Sequence, residues 1–505
     1  MKVEEYQTFD ATGLSELVRR GEVSRDALCE VAIEAIERRN PALHAVVRTR
    51  FEQARRESRV VDQNACFAGV PTLAKDLLMA IAGEPLAAGS ASLAEWRPLE
   101  DSPLITRARQ AGLVVLGQTA TPEFGLMAIT EPKAFPHPHN PWRLGHSPGG
   151  SSGGAAAAVA GGLVPLALAA DGGGSIRIPA SYCGLFGFKP TRGRTPLPPA
   201  QAEVWQGAVV EHAITKSVRD SAALLEHING AGPSGPYPVA RETGYLSALS
   251  SPGPKRRIAV SLGEPLSQSL GTTLDPETRK AVEHAAKTLA DMGHEVSWCD
   301  PPVDGAHLAS SYLTLYLGQV AADLSWVSRE TGISRRRLDI EPATRAIGRL
   351  GARLSAREYE LGRREWFAAA EQMSVFHQRF DALVMPVTAS SAPRIGELYP
   401  CRTRERLLSL LAVPGLSRLA LRAGALKHLA MEALARTPFT QLANLTGQPA
   451  MSLPLHRDAA GLPIGVQIVG RFGEDRALLQ LAHELEQRDN WQHHLPLQAF
   501  SAQHA

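Results

Sequence analysis

This chain has little of most features that narrow a function quickly. Its five cysteines, Cys29, Cys66, Cys183, Cys299 and Cys401, are scattered over 505 residues without a C-x-x-C pair, so no redox or zinc motif is present and the thiols read as buried or free in a reducing compartment. The net charge is only +2, from 53 basic and 51 acidic residues, and supplies no global field to attract nucleic acid or an anionic membrane. No apolar window approaches the length of a transmembrane helix. The start, Met1-Lys2-Val3-Glu4-Glu5-Tyr6, has neither the basic stretch nor the apolar core of a secretory signal. Internal repeats and low-complexity tracts are missing too. The expectation is a cytoplasmic protein whose partners must be read from local features.

What is present is an ordinary globular composition, 44% hydrophobic and 21% charged, with length enough for a large core. Two glycine–serine clusters stand out, Pro148-Gly149-Gly150-Ser151-Ser152-Gly153-Gly154 and Asp171-Gly172-Gly173-Gly174-Ser175-Ile176-Arg177. Between them lie the helix former Ala155 to Ala160 and the apolar run Leu163 to Ala170, short enough for a buried strand. A solvated linker does not look like this. The clusters terminate buried elements, where glycine lets backbone approach a bound group closely.

Elsewhere the pattern alternates strands and helices. Ser24 is a candidate N-cap for a helix with Leu28, Val31, Ala32, Ala35 and Ile36 on one face, ending near Asn40-Pro41. Arg107 to Gly112 reads as a helix end leading into the strand Leu113 to Gly117. The same unit returns as a strand at 257–262, a helix opened by Asp275-Pro276 and a strand at Glu295 to Trp298. Further strands are expected at Ala382 to Pro386 and Ile464 to Val469. If residues 73–77 are extended, Leu73, Lys75 and Leu77 share a face and Asp76 takes the other, which sets an amine among apolar neighbours.

A serine set in a glycine-rich loop can act as a nucleophile only with a base to take its proton and donors for a developing oxyanion. Of the sixteen histidines, His137, His139, His146, His493 and His494 are candidate bases, and none has an acidic partner in sequence. A lysine kept neutral by apolar surroundings is the other base used with serine, and Lys75 fits. Gly149 to Gly153 also satisfies G-x-S-x-G, but the stretch Trp142 to Pro148 before it is polar and proline-ended. A nucleophile elbow must follow a buried strand.

The glycine–serine clusters, with Ile178-Pro179-Ala180, Cys183-Gly184 and Gly187-Phe188-Lys189-Pro190-Thr191, closely resemble the signature of the amidase signature family. The resemblance extends to Lys75-Asp76, Thr121-Pro122-Glu123-Phe124, Asn140-Pro141-Trp142, Ser217-Val218-Arg219-Asp220, Pro438-Phe439-Thr440 and Asn444 to Ala450. It covers nearly the whole chain and is weakest over 228–430. It implies an α/β fold with a central, mostly parallel mixed twisted sheet covered by helices on both faces. It implies a single domain over 1–505. Within it come a helical segment at 1–65, the signature core at 66–227, a linker-like loop at 228–256, the remaining core at 257–300 and 380–490, and a variable helical cover at 301–437.

The resemblance also implies a catalytic triad of Lys75 as base, Ser151 as bridging serine on a cis peptide and Ser175 as nucleophile, with Gly172, Gly173, Gly174 and Ser175 amides as the oxyanion hole. Where this family commonly has Thr, Ser or Ile, the chain has Gly172, which suggests a looser loop or a larger pocket. Asp171 and Arg177 are expected to form a structural pair. The implied activity is hydrolysis of the C–N bond of a small or medium organic carboxamide, linear or cyclic, through an acyl-Ser175 intermediate. The segment Trp205 to Thr215 looks most like stand-alone bacterial amidases near the 6-aminohexanoate cyclic-dimer hydrolases. An amidotransferase subunit acting on glutamyl-tRNA and a membrane-associated fatty acid amide hydrolase remain alternatives. No cofactor and no metal are expected. The expected partner is a small-molecule amide, not nucleic acid or a membrane, with a homodimer left open. Substrate walls are expected near Gly125 to Met127, in the 200–210 loop and in 301–430, where Leu407 to Leu429 is a basic, apolar run with the character of a lid or surface helix.

Overall fold

A computed structural model describes residues 1–198, 203–232, 235–237, 239–263, 273–399 and 434–497. Eleven strands form one sheet. They are β1 (Val46–Thr49), β2 (Pro71–Lys75), β3 (Val114–Thr119), β4 (Leu166–Asp171), β5 (Phe186–Lys189), β6 (Val210–Thr215), β7 (Arg257–Val260), β8 (Glu295–Trp298), β9 (Ala382–Pro386), β10 (Ala450–Arg457) and β11 (Pro463–Gly470). Their order is β1-β3-β2-β4-β6-β5-β10-β11-β9-β7-β8, and fourteen helices flank the sheet among the described residues. The α/β class and the mixed sheet agree with expectation.

The expectation of mostly parallel pairing is corrected. Only four of ten pairings are parallel, β3 with β2, β2 with β4, β9 with β7 and β7 with β8. The other six are antiparallel and fill the middle and one edge. One cause is the β10–β11 hairpin, whose turn is held by Asp458 Oδ1 accepting from the Ala460 and Leu462 amides. A turn this short permits only antiparallel neighbours.

The apolar runs at β3, β4 and β11 became strands buried on both faces, and β2 and β6, which carry charged residues, are buried as fully. β2, β3, β4, β6 and β11 are buried at every position, as expected of strands covered by helices. β1 was unforeseen: it follows the helix Arg25–Leu43 after His44 in the left-handed region and pairs antiparallel with β3. That helix is capped by Ser24 accepting from the Ala27 amide and carries Pro41 within its last turn. The predicted Asp275 cap and the helix Pro276–Asp291 are present.

Because β3, β2 and β4 run parallel, the carboxyl ends of all three, at Thr119, Lys75 and Asp171, emerge along one edge, with Lys75 in register with Thr119. Ligands in open α/β sheets bind outside such ends. Beside this edge the helices Gly305–Thr331 and Pro342–Gly351 line a cavity with Lys75 and Ala170, and a third helix, Ala356–Arg379, packs on the first. The first is capped by Asp304 and the third by a Ser355–Glu358 capping box. Residues 239–256 carry only a short 3₁₀ turn, Ser247–Ser250. The basic run Leu407 to Leu429 and Cys401 lie outside the described residues. No helix among the described residues is long and apolar enough to cross a membrane.

Candidate active site

Lys75 ends β2 with its side chain 1% exposed, and its Nζ donates to Ser151 Oγ over 2.7 Å. Burial lowers its pKa to about 7, although the Asp171 and Glu211 carboxyl groups draw it upward. Desolvation disfavours the charged form of an amine, so the amine titrates where a base at neutral pH is useful.

Ser151 is 2% exposed and joined to Gly150 through a cis peptide. Glycine is required here by close approach: a Cβ on Gly150 would lie 2.7 Å from the backbone of Ile129. Thr130 fixes the loop by donating to the Gly149 carbonyl over 2.8 Å and accepting from the Gly153 amide. Ser151 and Ser175 sit just before the helices Gly153–Ala160 and Arg177–Cys183, and the Ser152 amide donates to the Ser175 carbonyl over 3.3 Å. The two clusters are thereby tied together. Half-buried Ser175 lines the same cavity as Lys75 and Ser151.

The second loop is organised by Asp171. Its carboxylate accepts from Arg177 Nε and Nη2 at 3.0 and 2.9 Å, with both side chains wholly buried. Arg177 reaches on to the Thr440 carbonyl, Gln467 and Asn444. Asp171 and Arg177 form the structural pair that was expected. Desolvation opposes the charge on Asp171, but Arg177 and Asn444 overcome it and hold the carboxyl below its usual range.

Two expectations about the glycines need correction. The Gly174 amide donates to Asp171 Oδ1 over 2.7 Å, so it is committed to the loop and drops out of the oxyanion donors. Gly174 has φ +120°, and a Cβ there would meet Thr440 Oγ1, so its conformation serves the turn. The Asp171 carboxylate leaves the amides of Gly172, Gly173 and Ser175 unclaimed. At Gly172 the missing side chain does not open the pocket. A Cβ there would lie 2.9 Å from Val209 and 3.7 Å from the Trp205 ring, and these two occupy the space.

The cavity has a volume of 1080 Å³ and extends from the serines between the sheet edge and the cover helices. Gly125, Leu126 and Met127 line it, as do Val204, Trp205 and Val209 from the predicted loop. The cover supplies Tyr312, Tyr316 and Trp326, all on the helix Gly305–Thr331. Trp96 meets Trp326 edge-on with ring centroids 5.3 Å apart, and Trp205 meets Tyr316 likewise at 5.3 Å. Sequence reasoning did not single out these cover residues, although the i, i+4 spacing of Tyr312 and Tyr316 was a usable signal. His137, His139 and His146 are not among the lining residues.

Glu211 was also missed. It lies in β6 opposite Ala170, fully buried, and neither carboxylate oxygen has a hydrogen-bond partner among the described residues. Burial pushes its pKa up to about 8, with Lys75 pulling the other way. Among the described residues no cluster of His, Cys, Asp and Glu is arranged to hold a metal ion.

The Amidase family model matches residues 27–406 and 402–479. The chain belongs to the Amidase family. It is 36% identical over 499 residues to the 6-aminohexanoate-cyclic-dimer hydrolase of Paenarthrobacter ureafaciens, covering 95% of each chain. The solved structure of a 6-aminohexanoate cyclic dimer hydrolase complexed with substrate superposes with a TM-score of 0.85 at 34% identity, over 97% of this chain and 99% of that one. A bacterial aryl acylamidase of the amidase signature enzymes gives 0.82 at 26% identity, over 97% and 98%. As a member of the Amidase family the chain is a carbon–nitrogen hydrolase acting on amide bonds other than peptide bonds.

Proposed function

We propose that this amidase hydrolyses small or medium organic carboxamides, linear or cyclic, through an acyl-Ser175 intermediate. The observation that carries the reading is the 2.7 Å contact between buried Lys75 Nζ and Ser151 Oγ, beside Ser175 in one cavity. Neutral Lys75 accepts the Ser151 proton as Ser151 accepts that of Ser175, and Ser175 Oγ forms a bond to the amide carbon. The carbonyl oxygen becomes an oxyanion facing the amides of Gly172, Gly173 and Ser175. As the C–N bond breaks, the proton returns through Ser151 to the leaving nitrogen. Water then attacks the ester by the same relay, releasing carboxylate and restoring Ser175.

The chain supplies nucleophile, base and donors itself, so this reaction needs no cofactor. Linear and cyclic substrates are both supported by the relatives, whose names specify a cyclic dimer and aryl acylamides. A cytoplasmic setting is supported by the free thiols Cys29, Cys66, Cys183 and Cys299. Mass spectrometry after exposure to a fluorophosphonate probe tests the nucleophile. A single adduct on Ser175, absent from Ser175→Ala, is expected, and labelling that survives the substitution overturns the assignment.

A further inference from the structure

Tyr312 projects from the helix Gly305–Thr331 onto the oxyanion loop. A Cβ built on Gly173 would lie 2.8 Å from the Tyr312 hydroxyl and 3.7 Å from Gln441 Cγ. The absence of a side chain at Gly173 is what admits the phenol. Tyr312 is 7% exposed, and what remains accessible faces the cavity that holds Lys75, Ser151 and Ser175.

The neighbouring tyrosine provides the contrast. Tyr316, one helical turn on, donates its hydroxyl to the Leu126 carbonyl over 3.1 Å. The Tyr312 hydroxyl has no hydrogen-bond partner among the described residues, although its ring is fixed by Trp205 and Tyr316 at centroid distances of 6.3 and 6.2 Å. The hydroxyl therefore opens on the cavity with its donor free, and a rigidly held donor beside a reaction centre is a familiar form of preorganisation. Burial and the Asp171 charge push the phenol pKa up, so the group stays protonated and acts as a donor at neutral pH.

We propose that Tyr312 is a catalytic residue whose hydroxyl donates to the carbonyl oxygen of the bound amide beside Gly173, standing in for the Gly174 amide that Asp171 has claimed. This rests on the acyl-Ser175 reading. It goes beyond that reading by adding a side-chain donor from the variable cover to the backbone donors of the signature loop. Amides whose carbonyl is flanked by bulky groups on the Gly173 side are excluded by the same contact.

Tyr312→Phe removes one oxygen and keeps the ring packing. The expected result is a fall in kcat of about tenfold to a hundredfold, at or below the lower end of the loss seen for an oxyanion donor. KM should stay within about twofold, as for an interaction made chiefly in the transition state. A second measurement does not depend on turnover. Binding of a trifluoromethyl ketone, which forms an oxyanion on Ser175, should weaken by the same factor as kcat/KM, while the matching alcohol binds unchanged. Unchanged kcat, or equal losses for ketone and alcohol, overturns the role of Tyr312. If the unmodified enzyme shows neither amide turnover nor labelling of Ser175, the acyl-enzyme reading fails instead, so the two failures are distinguishable.

Discussion

In the proposed mechanism Lys75 has to be neutral to accept a proton, and burial lowers its pKa from 10.5 to about 7. An ammonium has no lone pair, so activity is absent in acid and rises as pH passes through the lysine's midpoint. The expected pH dependence of kcat/KM is therefore an ascending limb centred near 7, the value to which burial brings the amine. Glu211 modifies this limb. Its ionised form attracts the Lys75 proton, and its own pKa is raised to about 8 by burial, so the two groups titrate as a pair. Glu211→Gln deletes that attraction without changing side-chain size, and the midpoint should move to lower pH. A pH profile that shifts upward, or does not move, removes Glu211 from the tuning of the base.

At the scale of elements, the loop from Asp171 to Arg177 is a rigid support for Ser175, the proposed nucleophile. Asp171 accepts from Arg177 and from the Gly174 and Ile176 amides, and Arg177 anchors the loop to the helix Gln441–Thr446 through Asn444. Removing one member leaves a buried charge without its partner, which costs about 3–5 kcal/mol. Arg177→Ala should lose stability of that order in urea melts and nearly all turnover. A stable variant with ordinary turnover would show that the loop holds its shape unaided. Since Asp171 has a depressed pKa when folded, its contribution is present above the usual carboxylate range and is lost as pH falls through the folded value.

Much of this support was legible in the chain. The buried runs that became β3, β4, β9 and β11, the Ser24 and Asp275 caps and the Asp171–Arg177 pair all follow from local pattern and charge. What was not legible depends on contacts between distant segments. β1 has only four residues and earns its strand character from β3. Gly174 looked equivalent to its neighbours until Asp171 took its amide. Trp205 and Val209 fill the space at Gly172 from across the sequence. Tyr312 sits in a helix whose periodicity shows which residues share a face, yet not that this face meets Gly173.

Across the whole molecule, Lys75, Ser151 and Ser175 line a mostly apolar chamber built by two different parts of the fold. Trp96 comes from the segment before β3 and Trp326 from the cover helix Gly305–Thr331, and their edge contact forms part of the cavity lining. At 1080 Å³ the cavity is at the upper end of small-molecule sites, much larger than a simple aliphatic amide requires. Apolar area buried on binding lowers KM roughly in proportion to size, at about 25 cal/mol per Å². KM should therefore fall from acetamide through longer alkyl amides to aryl amides, while kcat changes less, because the added contacts lie away from the carbonyl. Trp326→Ala should raise KM for the largest substrates by about tenfold, comparable to the loss of part of one aromatic contact, and leave KM for acetamide within about twofold. Equal effects on both would place Trp326 in the support of the cover helix rather than in the substrate wall.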